Sequence, residues 1–296
     1  MNKILRIGTR DSKLALVQTE IVAGAIRKLN PGLQVELVTM KTTGDKILDR
    51  TLDKVGGKGL FVKELDEALL SGRADLTVHS YKDMPMELNP LLPVVALSPR
   101  EDPRDCLILP ESGVMGSGPI GSSSLRRRHQ LPALFPGYET KPVRGNVLTR
   151  LRKLEEEGFS ALVLAVSGMK RLGLENRISR VFTPDEMIPA ASQGILAVQG
   201  RAGEDYSFLA AFDSAESRVC SAAERAFVRA LDGGCSTPTA AYAELEGGEV
   251  ILRTFYVAPD GRQIKRKAAA PIAEAEALGI RLAKETLLAA GTEGRA

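Results

Sequence analysis

Ile4-Leu5-Arg6-Ile7-Gly8-Thr9-Arg10-Asp11-Ser12-Lys13-Leu14 carries the transition that decides the architecture. Residues 4–7 read as a strand that runs into a loop at 8–12. Ser12 then caps a helix whose apolar positions Leu14, Val17, Ile21, Ala25 and Leu29 recur at helical spacing. Asn30-Pro31-Gly32 stops that helix, and residues 35–38 form the next strand. Residues 61–70 are a second helix with Phe61, Leu65 and Leu69 on one face and Gly72 past its end; residues 74–78 are a third strand. The β-α-β-α-β order predicts a mostly parallel sheet with helices on its faces. Ligands of such sheets collect at loops after the carboxyl ends of strands, here 8–12, 42–59 and 79–85.

Outward from this unit, Arg100-Glu101-Asp102-Pro103-Arg104-Asp105 reads as a polar crossover into a second alternating unit. That unit has a loop at 113–119, a helix near 125–134 and a strand near 141–143. A helix with Val147, Leu151 and Leu154 on one face follows, then a strand at 161–166. Residues 193–198 read as a strand that returns the chain to the first unit. After about Asp213 the pattern changes to a helix at 214–231, a hairpin around Glu246-Gly247-Gly248-Glu249 and a closing helix at 273–290. The expected architecture is α/β: two lobes around a cleft plus a small C-terminal α+β domain. The expected boundaries are 1–95 with 195–213 for the first lobe, 96–194 for the second and 214–296 for the third domain. No sequence repeat of 20–50 residues is visible.

The 296 residues are 44% hydrophobic and 26% charged, which supports sizeable cores and excludes fibrous and disordered classes. The longest apolar run, 161–166, is far below the ~20 residues of a membrane span. Arg6 and Arg10 interrupt any apolar core that a signal peptide would need, so a cytoplasmic location is expected. A net charge of +3, with 4% aromatics and no Trp, speaks against a nucleic-acid partner. Three cysteines without a Cys-x-x-Cys pair make no disulfide framework, and two histidines leave almost nothing for a His-based metal site.

Positive residues concentrate at Arg126, Arg127, Arg128, Lys141, Arg144, Arg150, Arg152 and Lys153, with Glu139 the acid among them. The run reads as a solvated basic face or as an anion site. Ser122-Ser123-Ser124 before Arg126-Arg127 brings amides, hydroxyls and guanidiniums to a helix N-terminus. Gly145 in Arg144-Gly145-Asn146 lets a ligand approach the backbone. The first unit has a matching set in Arg6, Thr9, Arg10 and Ser12. Two such loops suggest a polyanion, and the arginines together with the lack of a phosphate-loop motif favour carboxylate over nucleotide phosphate. His79-Ser80-Tyr81-Lys82-Asp83 places an imidazole, an ammonium and a carboxylate at a strand end. Lys82–Asp83 reads either as a surface ion pair or, facing arginines, as the group that handles protons and positive charge on a substrate. Gly56-Gly57-Lys58-Gly59 reads as a long turn or a lid. Cys235 sits in a Gly-Gly turn where it is not ordinary core filling, whereas Cys106 and Cys220 read as small buried residues.

These segments together resemble the porphobilinogen deaminase family over nearly the whole chain. The resemblance rests on 6–12 (Arg-Ile-Gly-Thr-Arg-Asp-Ser), 55–64 (Val-Gly-Gly-Lys-Gly-Leu-Phe-Val-Lys-Glu) and 78–85 (Val-His-Ser-Tyr-Lys-Asp-Met-Pro). It continues through 100–105, 121–127, 144–147, 170–174, 189–194 and Gly233-Gly234-Cys235. It implies two lobes like those of periplasmic binding proteins, a third α+β domain, and a monomeric transferase that condenses four porphobilinogen molecules head to tail. Each condensation loses ammonia, and hydrolysis finally releases a linear hydroxymethylbilane. It also implies a dipyrromethane cofactor held by a thioether to Cys235, with Ser12, Lys82, Ser123, Ser124, Arg126, Arg127 and Arg144 holding it. Arg10, Arg150, Arg171, Gln193 and Phe61 would then contact substrate, and Asp83 would be catalytic. No metal, nucleic acid or membrane is implied. Tyr81, Met84, Ser122 and the Ser236-Thr237 pair depart from the family's commonest residues while keeping every required functional group.

Two other classes compete. A non-catalytic two-lobed binder of anionic carboxylates would need neither Asp83 nor Cys235 and would bind reversibly. A nucleic-acid binder using 126–153 would show steep salt dependence.

Overall fold

The computed structural model describes residues 4–42, 62–233 and 237–292. The chain divides into two compact units, 1–101 with 194–217 and 102–193 with 218–296.

Unit 1 holds a five-stranded sheet. β1 (Ile4–Arg10) pairs in parallel with β2 (Gln34–Met40) on one side and β3 (Leu76–Ser80) on the other. β4 (Val94–Leu97) forms the far edge. Between β3 and β4 lies an antiparallel strand from much later in the chain, Leu196–Gln199; the expected return to this unit is present, but the strand starts three residues later than the sequence predicts and Gln193 stays in unit 2. Leu5, Ile7, Leu76, Val78, Leu196 and Val198 form one apolar core with Val22, Ala23 and Ile26 of helix α1 (Lys13–Leu29). Ser12 is the N-cap of α1, its Oγ accepting from Ala15 N at 3.3 Å.

The stripe that α1 buries is not the one its apolar spacing suggests. Ala15, Gln18, Thr19, Val22, Ala23 and Ile26 are buried, while Ile21 and Leu29 are both 44% exposed. Gln18 and Thr19 are tolerated inside because both side chains are hydrogen-bonded, Thr19 to Ala15 O at 2.9 Å and to Thr9 at 2.7 Å. Helix α2 (Lys63–Leu70) buries Leu65, Ala68 and Leu69; Phe61 and the 56–59 glycine loop lie outside the described residues.

Unit 2 repeats the sheet plan. β5 (Asp105–Ile108), β6 (Ile120–Gly121), β7 (Thr140–Lys141), β8 (Ala161–Ala165) and β9 (Arg180–Val181) lie in the order β7-β6-β8-β5-β9. β6, β7 and β8 are parallel and β5 is antiparallel between β8 and β9. With the late strand labelled β10 (Leu196–Gln199), unit 1 reads β2-β1-β3-β10-β4, the same arrangement strand for strand. The two units thus share a topology that no sequence repeat announces. β8 is buried throughout, because Ala161 and Val163 face one core and Leu162 and Leu164 the other. Helix α3 (Leu125–Leu134) starts at Ser124, helix α4 (Val147–Glu156) at Asn146, and α5 (Val166–Arg171) follows β8 directly.

Helix α6 (Ala215–Ala230) leads to an antiparallel sheet of β11 (Thr239–Glu246), β12 (Glu249–Val257) and β13 (Gln263–Pro271). Helix α7 (Ala275–Ala290) packs on it through Leu278, Leu282, Ala283 and Thr286. The expected hairpin is present, and β13 adds a third strand to it. Its Lys265, Arg266 and Lys267 break the apolar alternation by which strands are recognised. They also suit an edge that must not pair with another chain.

Candidate functional site

In unit 1 the parallel strands β1 and β3 end side by side, with Gly8 in register with Thr77. Strand β1 extends to Arg10, so the expected 8–12 loop shrinks to Asp11 and Ser12. Strand β3 extends to Ser80, and a 3-10 turn, Tyr81–Asp83, follows. Arg10, Gln18, Val62, His79, Ser80 and Asp83 line one pocket here, at the carboxyl ends where such sheets place ligands. Gln18 Nε2 donates to Ser80 Oγ at 2.9 Å. Asp83 is exposed at the end of the turn. Tyr81 and Met84, on either side of Lys82–Asp83, are buried with Val62, Leu97, Ile195 and Ala197 and hold the turn down. Their departure from the family's commoner residues is therefore a packing substitution beneath the site.

Three of the candidate residues in unit 1, two from the expected anion-binding set and His79, do other work. Thr9 is fully buried and its hydroxyl donates to Ala15 O at 3.2 Å. Arg6 forks onto Asp75, with Nε–Oδ2 at 3.2 Å and Nη2–Oδ1 at 3.1 Å, and Arg201 Nη2 reaches Asp75 Oδ1 at 3.4 Å. Burial would raise the Asp75 carboxyl, but these bonds outweigh it and hold it below its ordinary value. His79 is buried and bonded to Thr77 Oγ1 at 2.9 Å. Burial, and then the Arg10 charge, push its imidazole down to about 4, so it stays neutral near pH 7. The expected imidazole–ammonium–carboxylate set thus reduces to Lys82 and Asp83.

In unit 2 the basic run does not begin as a solvated face. Arg126 and Arg127 are 4% and 6% exposed and converge on Asp105, which is fully buried. Arg126 Nη1 donates to Asp105 Oδ2 at 2.6 Å; Arg127 donates to Oδ1 from Nε at 3.1 Å and from Nη2 at 2.8 Å. Arg126 also donates to Ile188 O at 2.8 Å, and Arg127 to Val163 O at 3.1 Å. Gln193 Nε2 completes the cluster, donating to Asp105 Oδ1 at 2.8 Å and Pro103 O at 2.6 Å. Burial alone would raise the Asp105 carboxyl. The two guanidiniums outweigh it and hold the carboxyl well below the usual range. Two guanidiniums against one carboxylate leave this cluster with one positive charge, which an incoming anion can compensate.

Asp105, which in sequence reads as the end of a crossover, is the residue that gathers this cluster. Its signal was its position as the first residue of a buried apolar strand, Cys106-Leu107-Ile108. Around the cluster, Ser123 Oγ donates to Val143 O at 2.6 Å, and Ser124 Oγ accepts from Arg127 N at 3.5 Å as the α3 N-cap. Arg150 Nε donates to Gly145 O at 2.8 Å. Gly145 has φ +111°, and a Cβ there would lie 2.5 Å from Thr149 Cγ2, so the turn between Arg144 and the α4 N-cap admits only glycine. Arg144 and Arg171 belong to unit 2, at the entry to α4 and the end of α5.

Cys235 lies outside the described residues. Cys106 and Cys220 are buried, as expected. Burial, and next the Asp105 charge, push the Cys106 thiol up to about 12.

Residues 5–208 match the family model "Porphobilinogen deaminase, dipyromethane cofactor binding domain", and residues 218–288 match "Porphobilinogen deaminase, C-terminal domain". The chain is 65% identical over 254 residues to a porphobilinogen deaminase of Ruminiclostridium josui, covering 86% of this chain and 87% of that protein. It is 55% identical over 285 residues to one of Acetivibrio thermocellus, covering 96% and 98%. Among solved structures it is similar to the periplasmic aliphatic sulphonate binding protein SsuA of Escherichia coli. That match has 15% identity and a TM-score of 0.40, over 78% of this chain and 71% of that one.

Proposed function

The chain belongs to the porphobilinogen deaminase family, and from that premise we propose how its residues share the work. Its activity is that of a hydroxymethylbilane synthase, a transferase of tetrapyrrole biosynthesis whose cofactor is dipyrromethane. The residues present suit that group. Its carboxylate side chains call for cations and its pyrrole N–H groups for a carboxylate, and the chain offers clustered arginines and one exposed aspartate at a strand end. When bound, the cofactor supplies the acceptor carbon for chain growth.

Asp83 accepts hydrogen bonds from pyrrole N–H groups and stabilises the positive charge that develops on porphobilinogen as ammonia leaves. The pocket it shares with Arg10, Gln18 and Ser80 carries this reading: His79 is neutral there, which leaves Asp83 as the acidic group of the lining. Arg10, Arg150, Arg171 and Gln193 receive substrate, while Phe61 shapes the site. Arg126, Arg127 and Arg144, with Ser12, Lys82, Ser123 and Ser124, hold the cofactor's carboxylates. Cys235 anchors it, its thiolate sulfur forming a carbon–sulfur bond to the pyrrole methylene, a thioether that resists hydrolysis through turnover. The buried Cys106 and Cys220 support this choice of thiol. The three sheets correspond, in this reading, to three domains: 1–95 with 195–213, 96–194 and 214–296. The enzyme acts as a cytoplasmic monomer on a small-molecule substrate, and among the described residues no helix is long and apolar enough to cross a membrane.

The test is intact mass and turnover for the parent, Cys235→Ser and Asp83→Asn. The parent carries the mass of two linked pyrrole units and Cys235→Ser does not. Asp83→Asn keeps that mass and loses on the order of 10²-fold or more in kcat, the range for a positioned acid–base group. Unchanged extra mass in Cys235→Ser overturns the anchor. An Asp83→Asn enzyme within tenfold of the parent overturns the catalytic role.

A further inference from the structure

Ser192 is fully buried and holds a left-handed backbone, φ +62°, in a residue that carries a Cβ. Such a conformation persists only where the surroundings over-determine it, and it clusters at functional sites. Its Oγ is buried with no hydrogen-bond partner among the described residues, so the side chain itself does not hold the turn. Two contacts hold the turn: Gln193 N donates to Ala190 O across it at 3.0 Å, and from outside it is held by Glu224 of α6, fully buried itself. Glu224 Oε2 accepts from Ser192 N at 2.6 Å, while Oε1 accepts from Ala243 N in β11 at 2.7 Å. One carboxylate therefore ties the turn to a helix and to the C-terminal sheet, all within unit 2. The next residue is Gln193, whose amide donates to Asp105 Oδ1, the oxygen that Arg127 also bonds.

We propose that Glu224 is a positioning residue for the arginine pair: it fixes the strained Ser192 turn so that Gln193 holds Asp105, and Asp105 in turn sets the Arg126 and Arg127 guanidiniums for carboxylate binding. This rests on the reading of Arg126 and Arg127 as cofactor-binding residues. Neither Glu224 nor Ser192 touches the bound pyrroles in it.

The experiment compares parent, Glu224→Gln, Ser192→Gly and the double variant by steady-state kinetics with porphobilinogen and by intact mass of the purified chains. Glu224→Gln replaces one of the two acceptor oxygens by an N–H donor, and the strained turn relaxes. KM rises about tenfold, the equilibrium equivalent of releasing one strained residue, and kcat changes less. A cofactor-free fraction appears in the mass spectrum. Ser192→Gly makes the left-handed turn intrinsically accessible, so in the double variant KM returns at least threefold towards the parent value and the cofactor-free fraction shrinks. If Glu224→Gln is recovered only as insoluble protein, solubility regained in the double variant supports the proposal; a double variant that is equally insoluble overturns it. Single effects that multiply in the double variant also overturn it, as does an unchanged KM in Glu224→Gln. A parent that neither carries cofactor nor turns over porphobilinogen would instead overturn the functional reading beneath it.

Discussion

Asp105→Asn separates a buried charge cluster from an ordinary surface ion pair. The substitution keeps the shape and one acceptor oxygen but removes the only negative charge of the Asp105–Arg126–Arg127 cluster, in which Asp105 is 0% and the arginines 5% and 7% exposed at their side chains. Breaking a buried ion pair from one side costs about 3–5 kcal/mol, chiefly because the remaining charges stay desolvated. For a cooperative unit of this size each kcal/mol moves Tm by roughly 2–4 °C, so the expected fall is about 6–20 °C. Asp102→Asn is the control: Asp102 forks onto Arg104 with comparable bond lengths, but Arg104 is 44% exposed, and such pairs contribute about 1 kcal/mol or less. Calorimetry of the three proteins at pH 7 measures both shifts. The pH dependence has a definite sign. The folded carboxyl of Asp105 titrates below its unfolded value, so its stabilisation is complete above about pH 4 and is lost as pH falls towards the folded pKa. The gap between parent and Asp105→Asn therefore stays constant from pH 5 to 8 and narrows below about pH 4. An Asp105→Asn shift no larger than that of Asp102→Asn would refute the idea that burial gives this cluster its strength.

Two further outcomes are expected. His79 stays neutral at its folded value of about 4, so its ring resonances in NMR do not move between pH 5.5 and 8; a midpoint near 6.5 contradicts the assignment. By the same linkage its contribution to stability is present above about pH 6.5 and declines as pH falls towards 4. Gly194 has φ +93°, and a Cβ there would sit 2.1 Å from Glu101 O, a backbone atom. Gly194→Ala should cost more than about 2 kcal/mol in denaturant midpoint experiments, whereas Gly72→Ala, with open space around the same backbone sign, should cost only about 1 kcal/mol. Equal losses would show that the contact with Glu101 is readily relieved.

The local order of elements was legible in the chain because each signal is local. Ser12, Ser124 and Asn146 cap their helices through bonds to residues three positions on, and Ala161–Ala165 shows its central place by an unbroken apolar run. The ordered motifs carried the family, its cofactor and its reaction, since those depend on residue identity at fixed spacing. What the chain could not display is which residues meet across distance. Asp105 is 21 and 22 positions from its arginines and 88 from Gln193, so the basic run looked unopposed although its partner lies inside the sheet. The buried stripe of α1 was displaced for the same reason: Gln18 and Thr19 become acceptable inside only because Ser80 and Thr9 arrive to bond them. Edge strand β13 hid behind its lysines and arginine, and the common plan of the two five-stranded sheets lies in strand order, which different apolar sequences satisfy equally well. Sequence determined the pieces and the chemistry they carry. Tertiary structure decided which charges are buried together, because burial is what turns a weak surface attraction into a fixed geometry.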